Sequence, residues 1–406
     1  MASKKDPAIG FIFITLLIDV LGIGLIIPVL PNLIKGFVGG DISVASQYAG
    51  WLMASYAIMQ FLFSPVLGGL SDQVGRRPVI LASLFGFTID YLVLAFAPNI
   101  VWLFIGRIMS GITGASFTTA QAYIADVSKP EDRAKNFGVV GAAFGVGFII
   151  GPAVGGMLAA YGDRIPFFAA AFLTLINGIY GYFVLPESLA KSNRRPFDIK
   201  RANPLGSLKN LTKYPVIAGL VGGFFCLQLA GQVHPSTWSY FTMKVFEWTP
   251  DQVGYSLAFV GLIVAIVQGG LARIIMPKLG EIRAISYGLL LYSIGFFMFA
   301  YATKSWMMYA FMIPFGLGGI AGPALQSLIT QQVGPDEQGE LQGGLTSLQS
   351  ITTIFGPLLA SNLFAYFSSK QAPILFPGAA FFMAAILVLI GWFIVMRSIP
   401  KKSSII

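Results

Sequence analysis

The sequence predicts an all-α polytopic membrane protein with 12 transmembrane helices in two six-helix halves related by pseudo-twofold symmetry. Three observations carry this: composition, the spacing of apolar runs, and an internal repeat. The 406 residues are 56% hydrophobic and only 11% charged, with 35 Phe against 26 Lys plus Arg, whereas a soluble domain carries about a quarter charged residues. Apolar runs of membrane length fall near 9–30, 48–70, 79–97, 101–123, 137–160, 165–185, 215–240, 251–276, 284–303, 305–329, 341–366 and 373–397. A bilayer leaves no water to satisfy backbone amides, so these runs are predicted as helices.

The repeat is found by shifting the numbering by 205. Gly75 then pairs with Gly280, Gly114 with Gly319, Gln121 with Gln326, Pro130 with Pro335, Gly138 with Gly343, and Gly151–Pro152 with Gly356–Pro357, without a gap. One offset held across several spans implies two tandem halves in the same orientation and a substrate path between them. The predicted division is an N-terminal six-helix bundle over 1–185, a basic linker over 186–214, and a C-terminal six-helix bundle over 215–406.

Charge sets the orientation. Of the 26 Lys and Arg, twenty fall in loops on the side of the N-terminus and five on the other side. The basic excess marks the cytoplasmic face, so both termini are expected there, in a bacterial inner (plasma) membrane. The net charge of +9 is spread over short loops rather than one stripe, which argues against nucleic acid as a partner. The first run is expected to be a retained span rather than a cleaved signal. Cys226, the single cysteine, can form no intrachain disulfide and is expected to pack.

The densest charge lies in GGLSDQVGRRPVIL at 68–81, where Asp72, Gly75, Arg76 and Arg77 mark a tight cytoplasmic turn. Asp72 there is placed to meet Arg133 in the next loop on that face, or the positive end of a helix in the other half. Within the spans the ionised residues are Asp19, Asp90 and Arg107. At 1.5 Å per residue, Asp19 lies about 15 Å up its helix, Asp90 about 16 Å up its own, and Arg107 about 9 Å below the outer end of the fourth. Charges at one depth in hydrocarbon should share a polar cavity or pair with one another. The two aspartates are the groups of the three that titrate, since arginine stays charged. They are the candidate proton carriers, with Arg107 opposing or replacing the proton.

Two stretches are shaped for close packing. Gly22, Gly24, Pro28 and Pro31 follow Asp19 and predict a bend in the first helix. In GVGFIIGPAVGG at 145–156, Gly145, Gly151, Gly155 and Gly156 are read as one smooth face, and Pro152 as a kink. The second half has no ion deep in its spans. Its polar side chains, Gln228, Gln232, His234, Gln268 and Gln326, with Gln60 of the first half and Trp238 near the outer end of the seventh span, are candidate substrate contacts. His234 is placed about 28 Å along its helix. No Walker motif, zinc spacing or nucleotide fingerprint is present, so no metal or cofactor is expected, nor an enzyme.

These residues resemble the major facilitator superfamily, and within it the tetracycline-resistance-like branch of twelve-span drug/proton antiporters. The resemblance rests on GGLSDQVGRRP at 68–78, RIMSGITGA at 107–115, AYIAD at 122–126, GVGFIIGPAVGG at 145–156, YAIMQ at 56–60, LQGGLTSLQSITTIFGPLL at 341–359, and Asp19 and Asp90 in LIDVLGIGLIIPVLP and TIDY. It implies that Asp72, Arg76, Arg77 and Arg133 form a cytoplasmic latch and that Arg107 takes part in proton coupling. It also implies that Gly151, Pro152, Gly155 and Gly156 belong to an antiporter signature, and that Gln60, Asp19 and Asp90 lie along the substrate or proton path. Two positions depart from the branch: Val264 stands where tetracycline exporters carry a histidine, and Tyr292 where they can carry an aspartate.

The expected function is export of an amphipathic small molecule or drug by a proton-coupled antiporter that works by alternating access, as a monomer in the lipid bilayer. The alternatives are a proton-coupled importer of a small metabolite and a non-transporting membrane scaffold or sensor.

Overall fold

The computed structural model describes residues 6–114, 116–129, 132–197, 217–334 and 337–399. Its helices are α1 (Asp6–Ile26), α2 (Leu30–Phe37), α3 (Ile42–Val74), α4 (Arg76–Phe96), α5 (Ile100–Gly114), α6 (Ser116–Val127), α7 (Arg133–Ala159) and α8 (Ile165–Val184). There follow α9 (Ala218–Gly231), α10 (Val233–Phe246), α11 (Pro250–Ile266), α12 (Ala272–Leu279), α13 (Glu281–Ala300), α14 (Ser305–Gly318), α15 (Ala321–Thr330), α16 (Gln338–Phe367) and α17 (Ala379–Ser398). Among the described residues, ten stretches are long and apolar enough to cross a membrane as single spans, and the pair α1–α2, bent by 47°, makes an eleventh. The bend falls at Pro28, with Pro31 in the first turn of α2. The expected bend of the first helix is therefore present.

The expected seventh span consists of two 14-residue helices, α9 and α10, that meet at Gln232. Pro235, in the first turn of α10, cannot donate to the carbonyl of Gly231, so the α-helical ladder is interrupted there. The hydroxyls beyond the break fold back on their own helix: Ser236 donates to the Gln232 carbonyl at 2.7 Å, beside its own N–H, and Thr237 to the Val233 carbonyl at 2.6 Å. Such bonds satisfy hydroxyls that hydrocarbon cannot.

The repeat is visible element by element. Shifted by 205, α4 begins where α13 does, α5 where α14 does, α7 where α16 does, and the break of the first span at 27–29 falls on that at 232. Gly75 and Gly280 precede α4 and α13 with φ/ψ of 108°/161° and 76°/157°. Side chains rarely adopt such a backbone, which is why glycine stands at both turns. The sixth spans match as well, but at a shift of 214: α8 and α17 are both 20 residues long and both end on an extended cap, Leu185 and Ile399. The packing pairs repeat too, α1 on α8 as α9 on α17, α4 on α8 as α13 on α17, and α4 on α5 as α13 on α14.

By spatial contact the chain forms two units. The first comprises Met1–Asp41, Ser55–Asn203 and Trp248–Gly261; the second comprises Ile42–Ala54, Pro204–Glu247 and Leu262–Ile406. Each unit thus takes one short segment from the other half of the sequence. The first unit's core joins Phe11, Leu16, Ile80, Leu84, Tyr123, Ile124 and Leu185. The second is packed on rings: Trp238 lies edge-on to Phe299 at 5.1 Å, and Phe241 edge-on to Phe381 at 5.1 Å. Large side chains such as Phe172, Phe183 and Trp306 point outward, as expected where lipid rather than water is the solvent.

Candidate functional site

Asp90 is fully buried on α4. Its Oδ2 accepts a hydrogen bond from the Ser110 hydroxyl and lies 3.6 Å from Arg107 Nη2. Arg107 and Ser110 are three residues apart on α5 and so share a face. Gly106, just before Arg107, provides the room: a Cβ there would stand 2.8 Å from Asp90 Oδ1 and 2.7 Å from a methyl carbon of Leu94. The RIMSG stretch is therefore a socket for one carboxylate, and Ser110 belongs to the site although its hydroxyl gave no separate signal in the sequence.

Asp19 does not join that ion pair. It is buried on α1 beside a cavity with room for about one water molecule, lined by Thr15, Leu16, Asp19, Ile80, Leu84, Phe117 and Ala120. Its Oδ1 has no hydrogen-bond partner among the described residues. Of the three charges expected to share a cavity or to pair with one another, Asp90 and Arg107 pair and Asp19 stands apart. Tyr91 reaches back to α1, where a Cβ on Gly22 would stand 2.7 Å from its hydroxyl. Gln60 donates to the Tyr56 hydroxyl at 3.2 Å and to the Gly114 carbonyl at 3.4 Å. An ionised carboxylate in this setting costs several kcal/mol unless paired, and among the described residues Asp90 has a cation at hand and Asp19 has none.

Among the described residues the charged turn has the following partners. Asp72 pairs with Arg76 at 2.6 Å, one turn away, and Arg76 also reaches Asp126 at the end of α6, at 3.2 Å. The Arg133 side chain lies outside the described residues. The unforeseen partner is Glu187, just past α8. Its two carboxylate oxygens accept from the backbone N–H groups of Arg76 at 2.9 Å and Arg77 at 3.3 Å. A carboxylate there caps orphan amides and complements the positive end of the helix dipole. Arg77 instead donates from its side chain to the Tyr182 carbonyl at 2.6 Å. The segment after α8 is tied on further by Arg195 N–H to the Asp72 carbonyl at 3.0 Å and the Tyr123 hydroxyl to the Pro186 carbonyl at 3.1 Å. Glu187→Gln should weaken this cap and lower stability by about 1 kcal/mol, read as a lower thermal midpoint in detergent; an unchanged midpoint would show that the cap contributes nothing.

In the second unit the same positions carry other chemistry. Glu281 replaces Arg76 and Gln331 replaces Asp126 at the shift of 205, and the two still meet: Gln331 donates to Glu281 Oε1 at 2.8 Å, as does Ser327 at 2.7 Å. The contact of the turn with the end of the following span was retained while the ion pair became a neutral–charged hydrogen bond.

The polar residues expected to contact substrate are scattered. His234 is buried immediately past the break at Gln232, with its ring 4.6 Å from Trp238 and stacked at 5.1 Å on Phe315, and its Nε2 has no partner among the described residues. Trp238 is packed inside the aromatic core at 1% exposure. Gln232 donates to Thr353 at 3.4 Å and Gln326 to Gln342 at 3.2 Å. Gln228 is half-buried, and Gln268 is exposed on a π-helical turn, Val267–Leu271, a distortion that occurs often at functional sites. Among the described residues, no three His, Cys, Asp or Glu side chains are grouped to hold a metal.

The glycine stripe of α7 faces α1. A Cβ on Gly147 would meet Val20, one on Gly151 the backbone of Gly24 at 2.9 Å, and one on Gly155 the backbone of Leu25. Gly156 faces α11 instead, at the Pro250 carbonyl, 2.6 Å away, while Gly145 has nothing within 4 Å among the described residues. The seam is therefore Gly147, Gly151 and Gly155, and Gly145 is not part of it. Pro152 lies within α7 and meets both neighbours, its ring against Gly24 and its carbonyl against Gly254.

The Major Facilitator Superfamily model matches residues 12–303 and 275–405. The class C tetracycline resistance protein of Escherichia coli is 44% identical over 362 residues, covering 89% of this chain and 91% of that protein. Multidrug resistance protein 2 of Bacillus subtilis is 31% identical over 380 residues, covering 90% and 92%. Among solved structures, that of the nucleoside transporter NupG superposes with a TM-score of 0.78 at 12% identity, covering 97% of this chain and all of that one, a likeness of fold. Identity of this extent, together with the charged turn, the carboxylate socket and the doubled helix order, shows that the chain is a multi-pass membrane protein of the Major Facilitator Superfamily, in its tetracycline-resistance-like branch.

Proposed function

We propose that this protein is a secondary active transporter, not an enzyme, that exports an amphipathic small molecule or drug in exchange for protons by alternating access. The observation that carries the reading is the placement of two membrane-core carboxylates, one in a socket with Arg107 and Ser110 and one without a cation among the described residues. A static structural site could be apolar at lower cost. Retaining two titratable groups there suits a proton taken up and released in each cycle. Asp90 then exchanges its partner: with the proton absent it binds Arg107, and with the proton present that arginine is freed to act on Tyr56, Tyr91 or the substrate. Asp19 is a second proton acceptor, reached through its small cavity.

Residues 1–185 and 215–406 are the two halves of the transporter, joined by the linker 186–214, with both termini cytoplasmic in a bacterial inner membrane and the protein working as a monomer. Asp72, Gly75, Arg76, Arg77 and Arg133 govern the conformational balance. Gln60 acts in substrate binding through Tyr56; Gln228, Gln232, His234, Gln268 and Gln326 form the neutral binding wall, and Trp238 holds it in place. The relatives' names make tetracyclines and other drugs the first substrates to test. Two differences bear on that choice. Val264 and Tyr292 are neutral, and Tyr292 is stacked on Phe315 at 4.8 Å, so this region offers a drug an aromatic surface where a charged contact is absent.

The test is uptake of tetracycline and of a panel of cationic and neutral drugs into everted vesicles under an imposed proton gradient. Expected is gradient-dependent uptake of at least one compound, reduced by at least about tenfold in Asp19→Asn, a loss of about 1.4 kcal/mol in the coupled step. Uptake that ignores the gradient, or an Asp19→Asn protein that keeps the full response, would count against proton antiport at these groups.

A further inference from the structure

We infer that the small cavity beside Asp19 binds one ordered water between the Asp19 carboxylate and the Thr15 hydroxyl, and that Thr15 and Asn177 are positioning residues for the proton that Asp19 carries. The inference rests on the reading of Asp19 as a proton acceptor and names the group that partners it.

The site is built on one turn of α1. Thr15 and Asp19 are four residues apart and so lie on the same face. Both line the cavity, whose other walls are Leu16, Ile80 and Leu84 of α4, and Phe117 and Ala120 of α6. Two polar side chains thus stand against apolar walls. Both are buried, Asp19 at 7% exposure and Thr15 at 3%. Polar atoms turned on a void in the core are costly until something fills it.

What fills it follows from which atoms can donate. The Thr15 hydroxyl spends its hydrogen on Asn177 Oδ1 of α8, at 3.4 Å, so it has only lone pairs left for the cavity. An ionised carboxylate also only accepts. Two acceptors one helical turn apart, facing a space of about one water molecule, call for a small double donor, and water is that donor. A metal ion suits the site poorly: the lining offers the side-chain oxygens of two residues, and zinc, magnesium or calcium takes at least about four ligands. When Asp19 is protonated, the same water accepts its O–H while still donating to Thr15. The water therefore serves both states of the carboxyl without any movement of the helices.

Asn177 fixes this arrangement from behind. It is buried on α8, three residues after Thr174, whose hydroxyl accepts from Thr88 of α4 at 3.2 Å. One face of α8 thus ties α1 and α4 by polar bonds, on helices that also pack along α8. The Thr15 hydroxyl is held with its hydrogen away from the cavity.

The first test is an experimental structure of the whole chain in lipid nanodiscs, in which one water is expected within roughly 2.5–3.2 Å of both the Asp19 carboxylate and the Thr15 hydroxyl. A dry cavity, or an Asp19 side chain turned out of it, would overturn the inference. The second test is gradient-driven uptake into everted vesicles, read beside substrate counterflow without a gradient. Thr15→Val keeps the side-chain shape and removes the hydroxyl, and Ala120→Val puts two methyl groups where the water lies. Each should lower gradient-driven uptake by roughly tenfold while counterflow continues. Thr15→Ser should recover most of the loss, which a packing role for the threonine methyl would not give. The inference is overturned if either valine variant couples like the wild type, if both also lose counterflow, or if Thr15→Ser is no better than Thr15→Val. If the wild type itself shows no gradient-driven uptake, proton antiport fails and the water is decided by the density alone.

Discussion

Asp90→Asn is expected to abolish proton-driven transport while leaving a folded protein that still exchanges substrate across the membrane. Asparagine keeps the volume that Gly106 and Leu94 enclose and can still accept from Ser110, so packing is preserved. What is lost is the charge that pairs with Arg107 at 3.6 Å and the capacity to bind a proton. Gradient-driven uptake into everted vesicles should fall by at least about a hundredfold, or about 2.7 kcal/mol at 1.36 kcal/mol per decade. Substrate counterflow without a gradient should continue, because exchange of substrate for substrate does not require the proton to leave. The sign with pH is definite: wild-type uptake changes with the imposed gradient, and the variant's residual uptake stays flat. Asp90→Glu should recover little, since the extra methylene meets Gly106 and Leu94. A variant that keeps full gradient-driven uptake would remove Asp90 from the coupling machinery, and one that loses counterflow as well would make it a substrate ligand.

The sequence already contained Asp90, Arg107 and the depth at which they lie, because charge in a long apolar run is rare and helical rise converts position into height. It did not contain the division between them. Whether Asp19 joined the pair depended on azimuth around α1, α4 and α5, and apolar spans carry little amphipathic signal from which to read azimuth. Ser110 and Glu187 were missed for related reasons: serine is unremarkable in a membrane helix, and Glu187 acts through two backbone amides, a role that leaves no trace at the positions it binds. The repeat behaved differently. It was legible as matched Gly and Pro residues because such residues mark places where backbone geometry, not side-chain chemistry, is fixed, and both Gly75 and Gly280 hold that geometry. The change of register before the last span was invisible to a single offset and emerged once α8 and α17 could be compared as helices of equal length. The apolar run at 215–240 predicts one helix for the seventh span, although Pro235 carries the information that it is two.

The second large effect is expected from Gly155→Leu, and it separates a packing seam from a run of small residues. Gly145 and Gly155 look equivalent in the sequence, each a glycine in one Gly-rich stretch of the same helix. In the structure, a Cβ on Gly155 would lie against the carbonyl oxygen of Leu25 and 2.7 Å from its Cα and carbonyl carbon. These are backbone atoms of α1, which cannot swing aside as a rotamer can, so α1 and α7 must separate to admit any side chain. Inside a membrane that loss is not offset by the hydrophobic effect, because lipid is as apolar as the partner helix and association rests on close van der Waals packing. Overpacking of this kind costs about 1–3 kcal/mol or more, and the seam continues through Gly151 and Gly147, so the strain cannot be shed to the next turn. Gly155→Leu should therefore lower the yield of monodisperse protein and its thermal midpoint by several degrees, with Gly155→Ala intermediate. Gly145→Leu, with nothing among the described residues within 4 Å of its Cβ, should leave both near the wild-type values. If the two leucine variants behave alike, the α1–α7 contact is not what the glycines are for, and the stripe would have to be assigned to the flexibility of α7 itself.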